Sequence, residues 1–267
     1  MRAADLLFWC SLAVSAAAWV LSCAAVRGSG VSRASKAAAL IASAALTSAI
    51  ALRWVLTSHP PIFGAFENTL ASAWTALVWA SWLSLRPRED VPRLAVGTLT
   101  GWATLVLAAG AFAERTPYPL TISERSLWVD VHALFAWVAF TALLLVSVSG
   151  ALGAVRAQVL SEEQEAFLFR LLGGGFAFLT AMLAVGALYS FLLFGDWYRW
   201  EIVGTLAAAT WLVYAVAVHL RLFFGWSGRR WWWVLAAALP LVIATFWVWS
   251  VFPATYHYFN IPEIRPF

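Results

Sequence analysis

Long apolar runs alternate with short polar segments along the whole chain. Eight runs occur, at about 5–26, 37–56, 69–85, 94–113, 128–154, 169–194, 203–224 and 231–251. Each is near the roughly 20 residues that a helix needs to cross a bilayer. The pattern predicts an all-α integral membrane protein with eight transmembrane helices in a single transmembrane domain, 1–267. The first run exceeds the apolar part of a cleaved signal peptide, so we expect it to be retained as a helix.

The composition agrees with this interpretation. The 267 residues are 63% hydrophobic and 11% charged, whereas about a quarter of the residues of a soluble domain are charged. The chain also holds 18 Trp, more than ordinary usage. Aromatic belts at the two membrane surfaces explain some of them, and a site that stacks a planar ligand would explain others.

Basic residues are unevenly divided between the two sides of the predicted bundle. The loops after runs 1, 3, 5 and 7 carry eleven of the 17 basic residues: Arg27, Arg33, Lys36, Arg86, Arg88, Arg93, Arg156, Arg170, Arg221, Arg229 and Arg230. Since Lys and Arg favour the cytoplasmic side, both termini and the loop that contains DWYRWE are predicted to lie outside the cytoplasm. The basic residues form no stripe of the kind that binds nucleic acid, so no nucleic-acid partner is expected.

Candidate chemistry gathers at the predicted outer face. His132 lies about one turn into run 5, and His257 lies just beyond run 8. The Trp-rich loop 194–202 joins runs 6 and 7 on the same side. Two imidazoles can hold haem iron, aromatic rings can stack on the macrocycle, and Arg199 could pair with a propionate. The alternative is ordinary interfacial residues, which need no ligand.

Other polar residues have competing interpretations. His219 lies within run 7 near Arg221, where an ionisable residue is either functional or snorkels to the surface. Glu67 opens run 3, where it could cap the helix or belong to a site. SEEQE, 161–165, indicates a solvated helix start, and GGG, 173–175, would let helices pack closely. His59, before two prolines, is expected to be a structural or a surface residue.

These residues carry a resemblance to the CcsA/ResC cytochrome c assembly proteins, which group with CcmC and CcmF under a Trp-rich WWD signature. The matching positions run in the family's order over about 57–260. They comprise PPIFGAFENTL with Glu67, LWVDVHALFAW with His132, Gly195, Trp197, Trp200, Glu201, Trp211, Tyr214, VHLR with His219, GWSGRR at 225–230, and TYHYF with His257.

The resemblance implies a haem-handling protein. His132 and His257 would ligate the iron of haem b, and the loop 195–201, with Gly195, Trp197, Arg199, Trp200 and Glu201, would form a platform beside it. His219 would lie on the route of haem through the bilayer, and Glu67 would be the carboxylate of the family's upstream element. The family presents haem at the outer face of the cell inner (plasma) membrane.

The resemblance also implies partners. Family members deliver haem to the CxxCH thiols of apocytochrome c and work with a CcsB/ResB-type membrane protein as a cytochrome c synthase. The chain itself holds no CxxCH. Three departures from the family pattern bear on the synthase step: Glu201 replaces Asp, Ile202-Val203-Gly204 replaces Pro-Lys-Glu, and the two Met that usually come directly after the first external His are absent after His132. The alternatives are a HemX-like, non-catalytic relative and a b-haem electron-transfer subunit.

Overall fold

The computed structural model describes residues 2–25, 33–86, 94–116, 120, 124–156 and 160–247. Within these residues the chain contains eight α-helices and no strand, which confirms the all-α prediction. The helices are α1 (Arg2–Ala25), α2 (Arg33–Thr57), α3 (Ala65–Ser84), α4 (Ala95–Gly110), α5 (Leu127–Arg156), α6 (Glu162–Phe194), α7 (Ile202–Phe224) and α8 (Gly228–Trp247).

Six helices of the described part of the chain are long and apolar enough to cross a membrane: α1, α2, α5, α6, α7 and α8. Helix α4 is apolar but has only 16 residues. Helix α3 has 20 residues, and its first turn contains the polar pair Glu67 and Asn68. Large apolar side chains such as Val55, Leu212 and Phe223 are exposed on the helices, as lipid contact permits. The protein is therefore a multi-pass membrane protein.

Polar residues extend several helices beyond the apolar runs. Helix α6 begins at Glu162, because Ser161 caps it. The Ser161 hydroxyl accepts a hydrogen bond from the Gln164 N–H, and the Gln164 side chain accepts one from the Ser161 N–H. This capping box confirms the helix start predicted at 161–165. The prediction that the segment is solvated is wrong at Glu165, which is buried against Arg221 and the Gly228 N–H.

The chain divides into two compact units, Met1–Pro117 and Tyr118–Phe267. In the first unit α1 packs on α2 and α4, and α3 packs on the same two helices. The core is rich in fully buried alanines, including Ala39, Ala42, Ala73 and Ala76. Small side chains allow the helix backbones to approach one another closely. Ser22 and Ser35 share a 2.6 Å hydrogen bond, which satisfies two buried hydroxyls between α1 and α2.

In the second unit α5 packs on α6 and α8, and α7 packs on the same two helices. Its core contains larger residues than that of the first unit, among them Phe140, Tyr214 and Trp231. The Tyr214 hydroxyl shares a 2.7 Å hydrogen bond with Ser147 on α5. The Trp231 indole N–H donates to the Ala217 carbonyl at 3.1 Å. Tyr214 and Trp231 therefore also satisfy their polar atoms inside the unit.

Candidate functional site

The connection between α6 and α7, residues 195–201, is here named the Trp loop. Helix α6 ends because Gly195 has a φ of 78°, a left-handed conformation that favours glycine. The Gly195 N–H donates to the Phe191 carbonyl at 2.9 Å, closing the last turn. Glu201 has extended backbone angles and precedes the first residue of α7. The Trp loop is thus held at both ends by regular helix termini.

Two tryptophans of the Trp loop lie on its surface. Trp197 stacks on Phe191 of α6 with ring centroids 4.4 Å apart and planes 11° apart. Trp200 meets Tyr198 edge to face at 4.9 Å. Trp197 is 57% exposed and Trp200 is 86% exposed. Tryptophan is usually well buried, so this exposed aromatic surface suits a flat apolar partner.

The Trp loop also contains three charged residues. The Arg199 guanidinium lies 4.2 Å from the centroid of the Phe194 ring. The Glu201 carbonyl accepts the Thr205 hydroxyl at 2.7 Å, but the Glu201 side chain does not cap α7. Asp196 is exposed. Contacts of Arg199 with a propionate and of Glu201 with haem stay predictions.

His132 of α5 is oriented by α6. Its Nδ1 lies 2.9 Å from the Met182 carbonyl oxygen. A carbonyl can only accept, so Nδ1 carries the proton and the lone pair of the neutral imidazole is on Nε2. Metal-bound histidines are commonly oriented in this way, with the other ring nitrogen donating to a backbone carbonyl. The orientation of His132 therefore suits an iron ligand.

Gly186 makes room for the His132 ring. A Cβ built on Gly186 would lie 2.8 Å from Cε1 and 3.0 Å from Nδ1 of His132. Ser190 lies one helical turn further along α6 from Gly186, and Met182 lies one turn before it. Within the described part of the chain, the buried Ser190 hydroxyl has no hydrogen-bond partner. The three residues share one side of α6.

His132 and the Trp loop lie at the same end of the second unit. Gly186 is within the last three turns of α6, and Trp197 stacks on Phe191 in the last turn. The structure therefore brings His132 to the same end of α6 as Gly195, Trp197, Arg199, Trp200 and Glu201. His257, the second predicted iron ligand, lies outside the described residues.

His219 lies towards the other end of the second unit. It is 18 residues from Glu201 along α7, or roughly 27 Å at 1.5 Å per residue. Its Nδ1 donates to the Ala215 carbonyl at 2.7 Å, and its ring stacks on Phe223 at 5.4 Å. His219 is exposed, whereas Arg221 turns inward to Glu165 at 3.3 Å. Residues two positions apart face different sides of a helix, so His219 and Arg221 form no pair.

Glu67 is buried in the first unit and has protein partners on both carboxylate oxygens. Its Oε1 accepts from Arg53 Nε at 2.7 Å, and its Oε2 accepts from the Phe63 N–H at 3.2 Å. Arg53 also donates to the Arg115 carbonyl at 2.9 Å. These contacts tie the α2–α3 loop to the helices beside it. A haem contact of Glu67 stays a prediction.

Other positions of the resembling segment have packing roles. Trp211 donates to the Thr180 hydroxyl at 2.9 Å and lies against Phe176, which joins α7 to α6. Gly228, in GWSGRR, has a φ of 58° and donates its N–H to Glu165 at 2.9 Å. Sequence reasoning did not identify Met182, Gly186, Ser190 or Glu165. The spacing of four residues predicts that Met182, Gly186 and Ser190 share one side of a helix. It does not show that this side faces His132 until the position of α5 is known.

The chain is similar to known proteins over most of its length, although no protein-family profile matches it. A CcsA cytochrome c biogenesis protein of Synechococcus sp. (strain RCC307) is 28% identical over 275 aligned residues, covering 86% of this chain and 85% of the relative. The CcsA proteins of Synechococcus sp. (strain WH7803) and Chlorella vulgaris are each 26% identical, covering 74% and 75% of this chain and 75% of either relative.

A solved structure of the cytochrome c haem lyase CcmF has the same fold. The TM-score is 0.69 at 18% identity, and the match covers 91% of this chain. This chain spans about half of that protein, 46% of its length. The resemblance to the CcsA family is confirmed by these relatives.

Proposed function

We propose that this chain, a relative of the CcsA proteins, handles haem during cytochrome c biogenesis. It would bind haem at the end of the second unit that carries the Trp loop and present it to apocytochrome c. The similarity to proteins named for cytochrome c biogenesis supports the general role. The observation that carries the haem proposal is the orientation of His132 beside the Met182 carbonyl, at the same end of α6 as the Trp loop.

The residues at this end fit haem. The His132 Nε2 lone pair is the donor that an iron ligand needs, and the lack of a side chain at Gly186 leaves space for the ring beside the Met182 carbonyl. Trp197 and Trp200 offer exposed faces for the macrocycle. Within the described residues the buried Ser190 hydroxyl has no partner, and it adds a polar atom on the same side of α6. His257 would supply the second imidazole ligand.

In the attachment of haem to apocytochrome c, this chain would bind the haem and orient it. Haem supplies the vinyl groups, across which each CxxCH thiol adds its sulfur and its hydrogen. His132 would hold the haem iron, and Trp197 and Trp200 would offer aromatic surface to the macrocycle and help to exclude water. A CcsB/ResB-type membrane protein is the expected partner, and His219 would lie on the haem route through the bilayer.

The proposal includes a topology. We propose eight spans, with α3 and α4 among them, in the inner (plasma) membrane, with both termini and the Trp loop outside the cytoplasm. Exposed Asp196 gives a direct test. In a variant with Cys10 and Cys23 changed to Ala, Asp196→Cys should react with a membrane-impermeant thiol reagent in intact cells. Protection of Asp196→Cys until the cells are lysed would reverse the orientation.

The test of haem binding is an absorption spectrum of the full chain purified in detergent from haem-replete cells. We expect a bis-imidazole spectrum that is lost or shifted in His132→Ala and in His257→Ala. His59→Ala is the matched control, because His59 is a buried histidine of the first unit that bonds the Pro60 carbonyl.

The results separate the candidate functions. No haem in the wild type, or a spectrum unchanged in His132→Ala, would contradict the haem site and favour a HemX-like, haem-free role. Haem retained together with no covalent attachment to a co-expressed CxxCH protein and CcsB-type partner would restrict the chain to haem binding. Covalent attachment is measured separately because this chain departs from the family pattern at Glu201 and at Ile202–Gly204.

A further inference from the structure

We infer that Gly186 is a positioning residue that sets the orientation of the His132 imidazole from the neighbouring helix. The inference rests on the proposed haem site and deepens it. Gly186 does not contact the iron ligand through a side chain, since it has none. It acts by leaving space, so that the ring can reach the Met182 carbonyl one turn earlier on α6.

The contact is too close to accept even one methyl group. A Cβ on Gly186 would lie 2.8 Å from Cε1 and 3.0 Å from Nδ1 of His132, within the contact distance of carbon with either atom. The atoms in the way belong to a rigid aromatic ring, so the whole ring would have to move. The Nδ1 to Met182 oxygen distance of 2.9 Å leaves little room for that before the hydrogen bond is lost.

Losing this hydrogen bond would change the ligand itself. The Met182 carbonyl places the proton on Nδ1 and so leaves the lone pair on Nε2. A ring that no longer reaches the carbonyl can adopt either tautomer and rotate about its side-chain bonds. Removing the partner that orients a metal-bound histidine commonly lowers the affinity for the metal about 10- to 100-fold.

Helix α6 provides its own controls. A Cβ on Gly175 would lie 3.0 Å from Ala142 Cβ and Leu143 Cδ2 of α5, a close approach of the same two helices without a histidine. A Cβ on Gly173 or Gly174 would meet nothing within 4 Å. Gly175→Ala therefore measures the general effect of crowding α5 against α6, and Gly174→Ala measures the effect of alanine alone.

The first experiment compares haem per chain and the spectrum of purified Gly186→Ala, Gly175→Ala and Gly174→Ala proteins. We expect Gly186→Ala to retain about 10- to 100-fold less haem, which is the typical loss when a metal-bound histidine loses its orienting partner. Both control variants should retain haem like the wild type. Thermal unfolding of each haem-free variant shows whether Gly186→Ala is less folded than Gly175→Ala.

A second experiment separates positioning from packing. In His132→Gly the ring is gone, and added imidazole should restore the haem spectrum. In the double variant His132→Gly/Gly186→Ala without imidazole the methyl group has space, so Gly186→Ala should cause no further loss of haem. Added imidazole should restore the spectrum less well than in His132→Gly, because the imidazole and the methyl group compete for the same space. An equal further loss from Gly186→Ala with or without the ring would show a packing role and overturn the inference.

A third readout needs no haem. In haem-free protein labelled with [15N]histidine, the His132 ring should show a protonated Nδ1 in the wild type and in Gly175→Ala. Gly186→Ala should lose that signature. If it keeps the signature, the inference is wrong whatever haem does. If the wild type binds no haem but the signature is lost in Gly186→Ala, then Gly186 does position the His132 ring, and the proposed haem-binding function is wrong.

Discussion

Each unit contains a buried glutamate that joins an arginine to the backbone of a loop. In the first unit Glu67 binds Arg53 and the Phe63 N–H of the α2–α3 loop. In the second unit Glu165 pairs with Arg221 at 3.3 Å and accepts the Gly228 N–H at the start of α8. The chemistry is the same, but the environments differ. The Arg53 side chain is 6% exposed, whereas the Arg221 side chain is 23% exposed.

The difference shows how little a residue type says about its role. Glu67 falls on a segment that resembles a functional element, while Glu165 falls in a segment that indicates only a helix start. In the structure both carboxylates have two protein partners and hold a loop. By contrast, the exposed aromatic rings of the Trp loop have surface left for a ligand. Charge alone therefore does not mark a ligand site in this chain, whereas exposed aromatic surface at least leaves room for one.

The largest expected effect is on the buried pair of the first unit. Glu67→Ala would leave the Arg53 charge buried without its carboxylate, which typically lowers the free energy of unfolding by about 3–5 kcal/mol. Unfolding in a denaturing detergent, followed by tryptophan fluorescence, would measure it. Arg53→Met/Glu67→Leu should recover most of the loss, because no charge stays buried. A loss of haem with unchanged stability in Glu67→Ala would instead assign Glu67 to the haem site.

A smaller effect is expected from the matching residue of the second unit. Glu165→Ala removes an acceptor from the Gly228 N–H and from a half-buried arginine. Hydrogen bonds to charged groups contribute about 1.5–3 kcal/mol, and exposure of Arg221 to solvent keeps the effect at the lower end. The same unfolding measurement applies. A loss equal to that of Glu67→Ala would show that burial does not distinguish the two glutamates.

The smallest effect on stability is expected at the Trp loop. Trp200→Ala removes a side chain that is 86% exposed, so the free energy of unfolding should change by less than about 0.5 kcal/mol. Haem retention should nevertheless fall roughly two- to tenfold, the equivalent of one aromatic contact. Trp233→Ala is the control, since Trp233 is 50% exposed in α8 and outside the Trp loop. Equal haem retention in both variants would remove Trp200 from the site.

Much of the fold follows from local sequence. The eight apolar runs each became a helix, because a long apolar segment can satisfy its backbone only in that way inside a bilayer. The start of α6 and the break at Gly195 follow from capping chemistry that needs only a few neighbouring residues. The extra length of α6 before its apolar run, and the polar first turn of α3, were not evident from hydropathy alone.

The candidate site is a different case. That Trp197, Arg199 and Trp200 share a loop is a property of the chain itself. His219 and Arg221 are close in sequence, but the helix turns their side chains apart, so that closeness does not make them a pair. Whether His219 is functional or snorkels stays open. The sequence offers no means of seeing that His132 meets Met182 and Gly186, some fifty residues further on.

By itself the sequence determined that this is an all-helical membrane protein, where its helices begin and end to within a few residues, and which short loop carries the tryptophans. Those features depend on interactions between residues close together in the chain. Only the tertiary structure decided which carboxylates are paired, which tryptophans are exposed and how the His132 ring is oriented. Each of these depends on atoms from two helices meeting within a few ångströms, and helix packing, which no local pattern encodes, determines that distance.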